Sequence, residues 1–277
     1  MLTRLHEAGV DQTELEEEWE ALKATEPDEE RFCLAAAALG LDPFVLGDDI
    51  ASLILLADER LAQELEQDFL AAADPNRLAE DLDWIEHTSG LIDSSSAKTA
   101  KLPTITSAVD GAPWHRGAQQ AMALREALAV AETEAFEVDP WVVVRPVDEV
   151  DPSLEALGGF SKRGGQVLAL AGKRPAVSRR FSAGRSLYRF VVDAEAHPFL
   201  ITGAHASRQQ AERAFAAELL APAQGIKKFI PLHADYLDVD DVAAISEHFN
   251  VSEWVVRYQV LNRLDIEVDE PIPNSTS

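Results

Sequence analysis

The sequence predicts an α+β protein, mostly helical, in which an acidic all-α N-terminal domain precedes a domain of helices with a few strands. Three observations predict it. Apolar residues recur at helical spacing through the first 90 residues or so. Short runs rich in β-branched and apolar residues, bounded by Gly and Pro, appear between residues 140 and 172. Charge divides the chain as well: the net charge is −25, and most of the acidic excess lies before residue 95.

Asp11-Gln-Thr-Glu14 reads as a capping box that opens a first helix, with Leu15, Trp19 and Leu22 behind it. Thr25-Glu-Pro-Asp opens a second, since proline is tolerated in a first turn, and it ends near Gly40. From Asp48, the residues Ile50, Leu53, Ile54, Ala57, Leu61 and Leu65 form one stripe, which predicts a single long helix. Pro75 starts another, carrying Leu78, Leu82 and Ile85. The stretch 91–110, rich in Ser and Thr, has the composition of a linker. The expected organisation is thus a helical domain over 1–90, a linker over 91–110, a second domain over 111–265 and a disordered tail over 266–277.

In the second domain, Ala112-Pro113-Trp114 begins a helix with Ala118, Ala121, Leu124 and Leu128 on one side. Trp141–Arg145 and Gln166–Ala171 read as strands. Gly158-Gly159 and Gly164-Gly165 flank Ser161-Lys-Arg, but the phosphate-loop pattern is absent, so a hairpin turn is expected. Helices are expected on either side of His197-Pro198-Phe199. The pair from Asp241 to Leu261 has the spacing of a helix-turn-helix. DNA is disfavoured as its partner because the preceding turn and helix are acidic and little positive charge is available for phosphates.

The composition excludes several classes. The one cysteine, Cys33, allows no disulfide framework and fits a reducing compartment. The N-terminus lacks the apolar core of a signal peptide, and no apolar run is long enough to span a bilayer. These features predict a cytoplasmic protein that does not enter the membrane. In contrast to the acidic N-terminal part, Phe160 to Phe190 holds eight lysines and arginines and no acid. That asymmetry allows an internal charge match, a basic site for an external anion, or an acidic face that engages a basic partner.

Two stretches carry a more specific signal: Arg179-Arg-Phe-Ser-Ala-Gly-Arg-Ser-Leu-Tyr-Arg189, and Ala211-Glu-Arg-Ala-Phe-Ala-Ala-Glu-Leu-Leu-Ala-Pro222. The second resembles the helix signature of the ImmA/IrrE family of zinc metallopeptidases. The resemblance is most specific over 177–222 and extends over 111–264. It implies a zincin-like domain of helices on a small mixed or antiparallel sheet. In that family the first helix carries H-E-x-x-H, whose two imidazoles lie on one helix face and hold zinc while the glutamate acts as general base. Here those histidine positions fall on Arg185 and Arg189, and the glutamate position on Ser186. The third ligand is expected a few residues ahead of the Phe-Ala-Ala-Glu run, at Gln209, Gln210 or Ala211.

Guanidinium groups only donate, so they cannot replace imidazole as ligands, and a serine cannot activate water as the glutamate would. The resemblance therefore implies a degenerate peptidase with no catalytic residue and no zinc. Such a protein would act through a protein partner, or through a small anionic ligand held by Arg185, Arg189, Arg180 and Ser186. Alternatively, the arginines only salt-bridge to acids such as Glu212 or Glu218. An active zinc endopeptidase with ligands such as His197, His205 and Glu212 is a second reading, and a helix-turn-helix regulator a third. The family implies a setting in regulation, stress response or phage-linked systems.

Overall fold

A computed structural model describes residues 26–105, 110–147, 154–192, 198–231 and 236–268. The helix expected over 11–22 lies outside them, as does the tail after Val268. The chain divides into two compact units, 1–61 and 62–277.

In the first unit, α1 (Pro27–Ala38) has Pro27 in its first turn, where the missing N–H would have had no partner. Asp28, Glu29 and Glu30 follow it, complementing the positive end of the helix dipole. The second helix, α2 (Asp48–Arg60), buries Ile54 and Ala57 from the expected stripe. It stops short of Leu65, because Leu61 turns to an extended conformation with ψ 144°.

The second unit opens with α3 (Gln63–Leu70), which buries Leu65, Asp68 and Phe69. A 3-10 turn (Pro75–Arg77), capped by the Asp74 carboxylate on the Asn76 N–H at 2.9 Å, leads into α4 (Leu78–Ser94). The boundary expected near residue 90 therefore falls inside a helix of this unit. Nor is 91–110 a spacer where it is described. Ser161 Oγ donates to the Ala97 carbonyl at 2.8 Å, the Ala100 N–H donates to the Pro140 carbonyl at 2.8 Å, and Thr99 bonds the Gln166 side chain. The serines and threonines that gave this stretch a linker's composition include groups that tie it to the sheet.

The sheet is mixed and four-stranded, in the order β1-β3-β2-β4. Its strands are β1 (Val143–Val147), β2 (Leu154–Phe160), β3 (Gln166–Ala171) and β4 (Phe199–Thr202). β1 runs parallel to β3, while β2 is antiparallel to both β3 and β4. The β2–β3 turn is the expected hairpin, closed by the Ser161 N–H on the Gly165 carbonyl at 2.8 Å, with Gly164 at φ +73°. Gly158 and Gly159 lie in β2 and not in the turn. All six residues of β3 are buried because both sheet faces are covered. Leu168 and Leu170 join the main core, whereas Val167 and Ala169, on the other face of the strand, lie outside it. Ile92 of α4 sits over the opposite face at Gly159.

The main core lies between the sheet and three helices: α5 (Pro113–Ala127), α6 (Ala176–Val191) and α7 (Ser207–Leu220). Fully buried Ala183, Leu187, Ala211, Phe215 and Leu219 contribute to it. α5 and α7 touch backbone to backbone: a Cβ on Gly117 would lie 2.1 Å from the Ala211 carbonyl oxygen. Gly117→Ala is therefore expected to destabilise by about 1–3 kcal/mol, as overpacking does. Gly90→Ala, in α4 with nothing within 4 Å of the new Cβ, is expected to stabilise by about 0.4–1 kcal/mol. Urea unfolding midpoints of the two variants check the pair of opposite signs.

After the short α8 (Ala223–Lys227), β5 (Tyr236–Leu237) pairs in parallel with β6 (Glu267–Val268). Residues 267 and 268, expected in a disordered tail, are thus held by a strand partner. Between them stand α9 (Val239–Phe249) and α10 (Glu253–Gln259), with Asn250 left-handed at the turn. Among the described residues, no helix is long and apolar enough to cross a membrane.

Candidate functional site

α6 and α7 lie side by side, and spacing along each decides what meets between them. Residues 185 and 189 are one turn apart on α6 and share a face. Arg180 lies roughly 140° round the helix from Arg185 and points elsewhere. It donates to the Phe136 carbonyl and approaches Glu137 at 3.8 Å, so it does not join the other two arginines. Ser186 Oγ donates to the Ala183 carbonyl of its own helix at 2.7 Å.

Arg185 and Arg189 converge with residues from four other elements. Arg185 is 1% exposed and donates to Glu155 Oε1 of β2 at 3.0 Å, the Thr202 carbonyl of β4 at 2.8 Å and Gln209 Oε1 of α7 at 2.6 Å. It also meets Glu212 Oε2 at 3.3 Å. Arg189 meets Asp68 Oδ2 of α3 at 3.0 Å, Glu212 Oε1 at 3.5 Å and Glu64 Oε2 at 3.8 Å. Its guanidinium also lies over the Phe199 ring, 5.0 Å from the centroid. Asp68 accepts in turn from Gln209 Nε2 at 3.3 Å.

This is a buried ion cluster whose charges belong to the protein. Burying a guanidinium is expensive unless it is paired and hydrogen-bonded, and each arginine has a carboxylate at 3.0 Å. Glu212, fully buried, is then a further carboxyl in the cluster. Burial pushes its carboxyl up to about 7, against the pull of Arg185 and Arg189 and with some help from Asp68. The expected salt bridge to Glu212 is present in both arginines. Glu218 lies elsewhere, accepting from Gln259 Nε2 at 2.8 Å, and burial raises its pKa too.

The side chains at these positions do not fit a zinc ion. Two permanent cations and an amide that is already bonded to one of them stand where imidazole and carboxylate would have to converge. Among the described residues no group of three or more His, Cys, Asp and Glu side chains is arranged to hold a metal. Of the alternative ligand set, His205 is exposed, Glu212 is engaged by both arginines, and His197 lies outside the described residues.

Sequence reasoning singled out the arginine pair and Gln209 but missed Asp68 and Glu155, which arrive from α3 and β2. The i,i+4 spacing of the arginines is a local signal, whereas their counter-ions are set by tertiary structure. Arg125 was also missed. Buried in α5, it donates to the Leu219 carbonyl at 2.5 Å and the Glu134 carbonyl at 2.6 Å, tying the C-terminal end of α7 to the loop after α5.

Beside the cluster, a cleft of about 620 Å³ opens between α6, α7, α10 and the start of α5. Glu155 lies on its wall, so one carboxylate faces both the cleft and the buried Arg185. No protein-family model matches the chain, and no curated protein matches it in sequence.

Proposed function

We propose that this protein acts by binding a protein partner and not by cleaving one, on an ImmA/IrrE-like peptidase scaffold whose metal positions have been rebuilt as an ion cluster. The observation that carries this reading is the convergence of Arg185, Arg189 and Gln209, with Gln209 Oε1 2.6 Å from Arg185. Two of these are the positions at which the resemblance puts the zinc histidines. The third falls where it expects the remaining ligand. A mixed sheet packed on α6 also fits such a scaffold.

The chemistry at those positions favours binding over hydrolysis. Hydrolysis on this scaffold needs a water made nucleophilic, and Ser186 cannot serve as the base. Relatives of the implied kind act in regulation, stress response and phage-linked systems, so a regulatory or defence role in the cytoplasm is the setting the reading implies. The helix-turn-helix alternative gains no support. Arg257, on the helix that would enter the groove, is buried and paired with Glu253 at 3.5 Å.

Rebuilding the motif tests the reading. The combined variant Arg185→His, Ser186→Glu, Arg189→His, Gln209→Glu, with circular dichroism confirming its helices, is expected to take up about one zinc per chain by elemental analysis. A folded variant that takes up none would count against the peptidase-like scaffold.

A further inference from the structure

The cleft beside the ion cluster has a size, a wall and a charge that together describe a ligand. At about 620 Å³ it lies within the range of sites that enclose small organic molecules. Its wall is aromatic. Trp254 stacks on Tyr258 with ring centroids 5.7 Å apart and planes 21° apart, and Trp114 and Phe181 also line it. Trp114 and Trp254 are each 48% exposed, an unusual amount of indole to leave in water at one mouth.

The charge comes from Arg213 and Arg174. Arg213 is half-buried and spends one Nη on the Ala204 carbonyl at 2.7 Å. No carboxylate lies within ion-pair distance of it among the described residues. Burial lowers its pKa, and the neighbouring Arg185 charge lowers it further, against the more distant pull of Glu155 and Glu212. Arg174 reaches Glu155 only at 3.8 Å, while Glu155 is held at 3.0 Å by Arg185. The nearest acid is therefore already committed to the interior, and the cleft lacks one negative charge.

We infer that the cleft between α6, α7 and α10 is a binding site for a small planar aromatic anion, a ring-borne carboxylate or sulfonate. Its rings lie against Trp254 and Trp114 and its anionic group on Arg213. Guanidinium suits an oxyanion with two oxygens in one plane, and the indole faces supply apolar contact. This inference does not rest on the peptidase-like reading, because none of Arg213, Trp114 and Trp254 holds a metal position in the resemblance.

Two fluorescent probes with the same rings separate the terms: 8-anilinonaphthalene-1-sulfonate, an anion, and N-phenyl-1-naphthylamine, which is neutral. The full chain is expected to bind the sulfonate at one saturable site, moving the indole N–H signals of Trp114 and Trp254 but not that of Trp84. Arg213→Gln is expected to weaken the sulfonate about tenfold or more, the value of a charged hydrogen bond, and the neutral probe less than about twofold. Arg213→Lys, which keeps the charge but not the planar fork, is expected to fall between wild type and Arg213→Gln in sulfonate affinity, and Trp254→Ala to weaken both probes. A sulfonate affinity unchanged in Arg213→Gln, non-saturable binding, or indole shifts confined to other tryptophans would each overturn the assignment.

Discussion

Arg185→Met is expected to destabilise the protein by about 3–5 kcal/mol, read as a lowered urea midpoint at constant slope. Methionine keeps much of the volume, so the loss is mainly of charge and hydrogen bonds and not a cavity. Arg185 is among the largest fully buried side chains described, and it holds Glu155, Thr202, Gln209 and Glu212 together. Without it, the Thr202 carbonyl loses a donor and Glu212 loses one of the two arginines that lower its pKa. The added change Glu212→Leu is expected to recover part of the loss, because removing both members of a buried pair costs less than removing one. Recovery by the double variant separates charge imbalance from general misfolding.

The second large effect is a pH dependence. The Glu212 carboxyl, pushed up to about 7 in the folded protein from an ordinary 4.5, binds a proton more tightly folded than unfolded. Its contribution to stability is therefore fully present below about 4.5 and is lost as pH rises through about 7. Linkage puts the whole effect on the order of 3 kcal/mol. Glu212→Gln cannot titrate, so between pH 5 and pH 8 the wild type is expected to lose stability relative to this variant. Parallel pH profiles of unfolding free energy for the two proteins check the sign. A difference between wild type and variant that stays flat from pH 5 to pH 8 would mean that Glu212 is ionised throughout and would contradict the raised pKa.

Much of the fold could be read from local pattern. The helices that became α1, α4 and α5 announce themselves by proline at the start and by apolar spacing, α6 and α7 by the two stretches that carry the family resemblance, and the β2–β3 hairpin by its glycines. What could not be read depends on contacts distant in sequence. Gly158 and Gly159 disguise β2, since glycine is a poor strand former. A Cβ at 158 would strike the Phe199 ring at 2.2 Å, so packing accounts for the glycine that local propensity disfavours. β4 looked like a connection between helices because its four residues carry no periodicity of their own. The break at Leu61 has no glycine or proline to mark it, yet beyond it α3 delivers Asp68 to Arg189. At the site, arginines four apart on one helix face were legible, but the neutralising acids from α3 and β2 were not.

The most direct measurement is the zinc content of the wild-type chain, purified without chelator and exposed to an excess of zinc before exhaustive dialysis. The ion cluster predicts far less than one zinc per chain, and no change in zinc content between wild type and Glu212→Gln. One tightly held zinc per chain that is lost in Glu212→Gln would contradict it, because a cation would then occupy the space assigned to two guanidinium groups.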